Sequence, residues 1–238
     1  MRLDKALSLA GYSRSEAKAM VAKGRVKVNG APARDPGMNV QPEQVELDGV
    51  SISAEQEIHL MIHKPAGAVT ATEDKRLTTV VSLLPAQYQK RKIGPVGRLD
   101  RDVTGLVILT TDGQMAHRLI SPKWKAEKLY RAWCEGALDE SHVQAFAAGL
   151  ELSDFTAQPA GMKILESGET SIADVTLTEG KFHQVKRMFA AIGHPLTRLQ
   201  RLRIGCVQLD EKLAPGEFRK LTDEEILGLK RMCDLIQE

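Results

Sequence analysis

The sequence predicts an α+β protein with a small N-terminal α/β module, followed by a larger domain built on a mixed, mostly antiparallel β-sheet flanked by helices. Two observations predict this architecture. The first 34 residues carry the pattern of two helices and a hairpin, and the remainder holds several strand-like runs without regular alternation of strand and helix. The chain of 238 residues is long enough for a small and a medium domain. We expect domains at residues 1–56 and 57–238.

The N-terminal elements follow from short local signals. Apolar residues at helical spacing form a first helix that ends at Gly11. Ser13 and Glu16 form a capping box that opens a second helix, which Gly24 closes. Residues 25–28 alternate like a half-buried strand, and Asn29-Gly30 predicts a hairpin turn.

Charge is concentrated in this module, although the net charge of the whole chain is only +2. Residues 1–34 contain eight Lys or Arg and two Asp or Glu, a local net of +6, whereas residues 35–50 contain four acids and no Lys or Arg. A compact basic module is typical of polyanion binding, and solvated surface charge is the alternative. The candidate RNA contacts in this module are Arg2, Arg14, Lys18, Arg25 and Lys27.

The sequence predicts that the second domain contains strands and helices in irregular order. Alternating or continuous apolar runs mark the strands, and 3.6-residue periodicity or a cap marks the helices. We expect strands at 58–62, 106–111, 129–135 and 172–178, helices at 139–150 and 183–192 and after Thr222, and a short helix candidate at 78–84.

Several function classes are excluded by what the sequence lacks. No nucleotide-binding glycine motif, serine-hydrolase elbow or HExxH motif occurs, and the six histidines show no metal-ligand spacing. The three cysteines lie far apart, which argues against a disulfide framework or a zinc site and favours a reducing cytoplasm. No apolar run approaches the roughly 20 residues needed to span a bilayer. We therefore expect a cytoplasmic protein with no metal, no cofactor and no membrane contact.

The loop over residues 97–105 carries the densest set of reactive side chains. Asp100 and Asp102 are flanked by Arg98 and Arg101, with a glycine at each end, and an apolar strand follows. A carboxylate beside arginines stays ionised and can act as a nucleophile or a base. From the spacing alone, a charged surface turn closed by salt bridges explains the loop equally well.

The N-terminal run RLDKALSLAGYSRSEAKAMVAKGRVKVNG resembles the S4 domain, a small RNA-binding module of ribosomal and RNA-modifying proteins, over about residues 1–50. The resemblance implies binding to structured RNA through phosphates and shape. It implies no chemistry.

The segment GRLDRDVTGLVILTTDG resembles the catalytic motif of the pseudouridine synthases, in which the aspartate of GRLD is essential; here that residue is Asp100. Three further motifs match in order. Residues 64–67 are similar to the KPxG motif that opens the catalytic domain. Residues 127–130 match the KxY motif, whose tyrosine, here Tyr130, packs against the target base. Residues 180–188 resemble the motif whose basic residue pairs with the catalytic aspartate.

The basic partner of Asp100 maps to Lys186, but the neighbouring Arg187 leaves the pairing open. In the predicted helix, position 186 lies next to the apolar stripe and position 187 lies further from it, so we favour Lys186. We add Arg98 and Arg187 to the candidate RNA contacts.

The resemblance implies cofactor-free isomerisation of a uridine in ribosomal RNA by cleavage of the glycosidic bond and rejoining through C5. The domain order and the C-terminal segment LAPGEFRKLTDEEI look most like the branch that modifies 16S rRNA of the small subunit, with 23S rRNA as the alternative. We expect a monomer. A rival of another class is a non-catalytic S4-type RNA-binding or ribosome-assembly factor, which would give no reason for the set Asp100, Tyr130 and Lys186.

Overall fold

The computed structural model describes residues 1–52 and 57–236. Its N-terminal part packs two helices against a four-stranded sheet of order β2-β1-β3-β4. The bounds are α1 Leu3–Leu9, α2 Arg14–Ala22, β1 Val26–Val28, β2 Ala31–Pro32, β3 Val45–Leu47 and β4 Val50–Ser51.

The local signals of this part act as the sequence predicts. Ser13 and Glu16 form the capping box of α2. After α1, Gly11 has a backbone φ of +96°, and a Cβ there would lie 2.5 Å from the carbonyl oxygen of Lys90. A glycine is therefore required where the N-terminal part contacts the second domain.

The second part is built on a nine-stranded sheet, counted over the described residues, with the main order β13-β5-β7-β11-β8-β10-β9. The pair β7–β11 is parallel and the other described pairs are antiparallel, so the predicted mixed, mostly antiparallel sheet is confirmed. The bounds are β5 His59–Lys64, β6 Gly94–Pro95, β7 Thr104–Thr110, β8 Lys128–Glu135, β9 Gly161–Glu166, β10 Thr170–Leu177, β11 Leu196–Ile204, β12 Val207–Gln208 and β13 Phe218–Lys220.

Helices cover both faces of this sheet. On one face α5 and α6 pack together through Phe146 and Phe189, whose ring centroids lie 5.2 Å apart. On the other face α4 and α7 contribute Met115 and Leu229 to a second core. The bounds are α3 Ala86–Gln89, α4 Gly113–Ile120, α5 Glu140–Ala148, α6 Gln184–Ala191 and α7 Asp223–Met232.

In two of the segments that differ from the sequence-based expectation, side-chain hydrogen bonds explain the difference. Residues 78–84 form a bridge and turns rather than a helix, because Thr79 and Ser82 bond each other's backbone and close a local turn. Residues 113–120 form the unpredicted helix α4, since Asp112 accepts from the backbone N–H groups of Gln114 and Met115 and acts as its N-cap.

Between the two parts, the first sheet ends at Ser51 and the second begins at His59. The expected division between residues 56 and 57 touches residues 53–56, which lie outside the described residues.

The strand β7 carries the loop of residues 97–103 into the sheet beside β11. Its second residue, Gly105, has φ +108°, and a Cβ there would lie 2.2 Å from the carbonyl oxygen of Arg201. This close approach requires glycine and fixes where the loop ends.

Candidate active site

The loop that carries Asp100 is held from below by the buried side chain of Lys64, at the end of β5. The ammonium of Lys64 donates to the carbonyl oxygens of Pro65 at 3.0 Å, Arg101 at 3.1 Å and Val103 at 2.7 Å. Three donors meet three acceptors from two segments of chain, so the turn at residues 64–67 and the loop are joined through one ammonium.

Gly67 of this turn and Thr70, three residues further along, hold the loop at two further points. The hydroxyl of Thr70 donates to the carbonyl oxygen of Leu99 at 2.8 Å and accepts from the Leu99 N–H at 3.0 Å. The N–H of Gly67 donates to the carbonyl oxygen of Arg101 at 2.8 Å. Both neighbours of Asp100 are therefore fixed through their backbone, which leaves the carboxylate free for interactions in the cleft.

Burial lowers the pKa of Lys64 to about 8. The carboxylates of Asp102 and Asp100 oppose this shift, whereas the charges of Arg201 and Lys186 add to it. At neutral pH Lys64 is mostly protonated and can donate all three hydrogens.

Asp100 lies between two basic side chains of the segment that begins α6. Its Oδ2 is 3.3 Å from the Nζ of Lys186, and its Oδ1 is 3.4 Å from the Nε2 of His183. Lys186 also donates to both carboxylate oxygens of Asp102, at 2.7 and 2.8 Å. These hydrogen bonds lower the pKa of Asp102. The ammonium of Lys186 thus contacts two carboxylates. The side chain of Asp102 is 73% exposed, whereas that of Asp100 is 27% exposed.

Asp100, Tyr130 and Lys186 line one cleft. They come from three elements that are distant in sequence: the loop before β7, strand β8 and helix α6. The apolar part of the lining comes from Leu99, Val103, Leu177, Val185 and Leu199. The cleft therefore combines a carboxylate, an adjacent cation and an aromatic ring with an apolar wall suited to a flat base.

The start of α6 is held by a buried glutamine. Gln184 donates from Nε2 to Glu179 Oε1 at 2.6 Å and accepts from the N–H of Lys181 at 2.9 Å. The residue before it, His183, has a left-handed backbone with φ +52°. The motifs also contain Lys64, Asp102, His183 and Gln184, whose roles were not predicted from the sequence; those of the first three depend on contacts between distant segments.

The structure distinguishes Lys186 from Arg187 as the ion-pair partner of Asp100. Arg187 pairs with Asp154 and donates to Ser153, away from Asp100. Arg98 is exposed at the rim of the cleft.

The candidate RNA contacts of the N-terminal part are all exposed. Arg2 pairs with Asp4, and Arg25 pairs with Asp48. The remaining exposed candidates are Arg14, Lys18 and Lys27.

Neither a metal cluster nor a membrane-spanning helix is found where the structure describes the chain. No group of three or more His, Cys, Asp or Glu side chains there could hold a metal ion. No helix of that part is long and apolar enough to cross a bilayer.

Comparisons with known proteins agree with this geometry. Residues 58–191 match the family described as RNA pseudouridylate synthase, and residues 1–45 match the S4 domain. An uncharacterized RNA pseudouridine synthase of Bacillus subtilis is 42% identical, over 95% of this chain and 97% of its own length. The ribosomal small subunit pseudouridine synthase A of Vibrio parahaemolyticus is 41% identical, over 95% and 98%. A solved pseudouridylate synthase structure has a TM-score of 0.69 and 36% identity, over 96% and 99%.

Because the pKa of Lys64 is lowered, we predict that the rate of product formation on RNA falls at alkaline pH. Above pH about 8 the neutral amine has two hydrogens for three carbonyl oxygens, so the loop loosens and kcat falls. We expect kcat to be about tenfold lower at pH 9 than at pH 7, measured by single-turnover product formation.

The matched control is Lys128, which is also buried and has a pKa lowered by burial. Lys64→Met should give a low rate that is flat between pH 7 and 9, and Lys128→Met should keep the alkaline fall in rate. A fall that survives in Lys64→Met but disappears in Lys128→Met would reassign it to Lys128.

Proposed function

Because the chain belongs to the RNA pseudouridine synthase family, we propose that it isomerises a specific uridine of 16S rRNA in the small ribosomal subunit to pseudouridine. The observation that carries this proposal is the meeting of Asp100, Lys186 and Tyr130 in one cleft. The small-subunit target is supported by relatives named ribosomal small subunit pseudouridine synthase A, which align over nearly the whole chain. A non-catalytic RNA-binding factor would have no use for this cleft.

The reaction breaks the bond between N1 of uracil and C1′ of ribose, turns the base and joins C5 to C1′. The proton on C5 is lost and N1 gains one, so the change is an isomerisation and consumes no other reactant. We assign the step that begins bond cleavage to the carboxylate of Asp100. The ammonium of Lys186 lies 3.3 Å from one oxygen of this carboxylate and the Nε2 of His183 lies 3.4 Å from the other, so the two side chains hold it in position.

The target uridine must leave its stack to reach Asp100, which costs a few kcal/mol. Tyr130 is 8% exposed and lines the cleft with the apolar residues, so we assign its ring to contact with the displaced base. Tyr130 is also the candidate for handling the C5 proton.

The N-terminal part supplies RNA affinity in this proposal. We assign residues 1–56 to the S4 domain and residues 57–238 to the catalytic domain. The RNA contacts are Arg2, Arg14, Lys18, Arg25 and Lys27 of the first domain and Arg98 and Arg187 of the second. The protein acts as a monomer in the cytoplasm, on ribosomal RNA that is free or within an assembling subunit.

Asp100→Asn should abolish pseudouridine formation while leaving folding and RNA binding intact, because it removes the carboxylate and keeps the shape. We expect a fall in kcat of at least about a thousandfold, which is within the effect of a positioned acid–base group. Asp223→Asn, an exposed aspartate at the start of α7, is the control and should keep full activity. If Asp100→Asn kept a tenth of the turnover, Asp100 would not be the catalytic residue.

The target is tested by mapping pseudouridines in ribosomal RNA from cells with and without the gene. One pseudouridine of 16S rRNA should disappear with the gene and return with the wild-type protein but not with Asp100→Asn. A loss confined to 23S rRNA would show that the reaction is right and the substrate wrong.

Changing Arg14, Lys18 and Lys27 together to alanine should weaken RNA binding and flatten its salt dependence. Three lost phosphate contacts should reduce the slope of log K against log salt concentration by about 2–3. The single-turnover rate at saturating RNA should stay within twofold. The control, Lys163 and Lys212 to alanine, changes exposed lysines that do not line the cleft.

An unchanged slope in the triple variant would mean that these side chains do not contact phosphate. A collapse of the saturated rate would mean that the S4 domain positions the target base.

A further inference from the structure

Phe182 has the most exposed large apolar side chain in the described part of the chain, at 76%. It lies between Lys181 and His183, which both line the cleft that contains Asp100. An aromatic ring exposed to this extent contributes little to the core. Its position beside the cleft makes it a candidate for contact with the substrate.

The ring of Phe182 is held in place from one side. It stacks on His183 with ring centroids 3.8 Å apart and an interplanar angle of 18°. The Nε2 of His183 in turn lies 3.4 Å from Asp100 Oδ1. Immediately after His183, Gln184 is buried and bonded to Glu179. One face of the Phe182 ring is thus covered, and the ring is presented one residue away from a side chain that contacts Asp100.

Two cations near Phe182 in the sequence, Lys181 and Arg187, contact a different aromatic ring, that of Phe155. The Nζ of Lys181 lies 3.9 Å from the ring centroid of Phe155, and the guanidinium of Arg187 lies 4.8 Å from it. Arg98 adds an exposed positive charge at the rim. An exposed aromatic ring in a segment that also carries positive charges combines the two features with which proteins bind unpaired RNA, a stacking surface for a base and cations for the phosphates.

We propose that Phe182 forms a stacking subsite for the nucleobase that directly flanks the target uridine. This inference rests on the proposed function, in which the uridine leaves its stack to reach Asp100. That displacement leaves the flanking base without a neighbour on one side. The open face of Phe182 replaces the lost neighbour, while the displaced uracil is received by Tyr130 deeper in the cleft.

The test combines protein variants with a matched change in the RNA. The substrate is a 16S rRNA fragment that carries the mapped uridine, made intact or with the base removed from one flanking nucleotide at a time. Phe182→Ala should raise the Kd for intact RNA about tenfold, as the loss of one base–aromatic stack does, and leave kcat within twofold. Phe182→Tyr should bind like the wild type, and Phe182→Leu should resemble alanine because it is apolar but has no ring.

The base-deleted RNA separates a stacking contact from a general loss of structure. At one flank, removing the base should weaken wild-type binding about tenfold and Phe182→Ala binding no further, since both changes remove the same contact. Additive losses at both flanks would overturn the proposal and would place the Phe182 contact elsewhere on the RNA. Leu227→Ala, an exposed apolar residue on α7, should give wild-type Kd with every RNA.

The proposed function is tested separately, by measuring the pseudouridine that the wild type forms on intact RNA. If the wild type forms pseudouridine and the losses are additive, only the stacking subsite is wrong. If the wild type forms none in any ribosomal RNA, both the subsite and the proposed function are wrong.

Discussion

The ammonium of Lys64 lies where three backbone carbonyl groups from two segments converge, and the active site is assembled around that contact. A buried ammonium without partners would be strongly unfavourable, so these carbonyl oxygens and the nearby Asp100 and Asp102 must offset its desolvation. The compensation works only if the loop keeps one conformation. The cost of burying Lys64 therefore becomes a constraint on the position of Asp100.

The second constraint is the electrostatic balance above the loop. Lys186 is closer to Asp102 than to Asp100, and His183 lies on the other oxygen of Asp100. Asp102 holds Lys186 at the mouth of the cleft without removing it from ion-pair distance of Asp100. Because the two carboxylates share one lysine, the charge near Asp100 depends on a residue that is itself mostly exposed. This arrangement suits a site that must admit an RNA base.

The parts of the fold that the sequence predicted are those with local causes. Capping, helical periodicity and the Asn29-Gly30 turn act over a few residues, and the structure reproduces them. The edge strand β9 was not predicted, because its place in the sheet is set by pairing with β10 and not by a local signal. For α4 the local signal is Asp112, which caps the helix and directly follows the strand predicted at 106–111. The three residues that the motif resemblance singled out, Asp100, Tyr130 and Lys186, line one cleft.

The contact of Lys64 with Arg101 and Val103 spans 37 and 39 residues, and no periodicity in the sequence reports it. It is most directly tested by backbone amide hydrogen exchange in Lys64→Met, which keeps the apolar stem and removes the ammonium. With both proteins folded, the amides of Leu99 and Val103 should exchange at least about tenfold faster in the variant, and those of α6 should be unchanged. Equal exchange at Leu99 and Val103 in the two proteins would contradict the account, because the loop would then hold its conformation without Lys64.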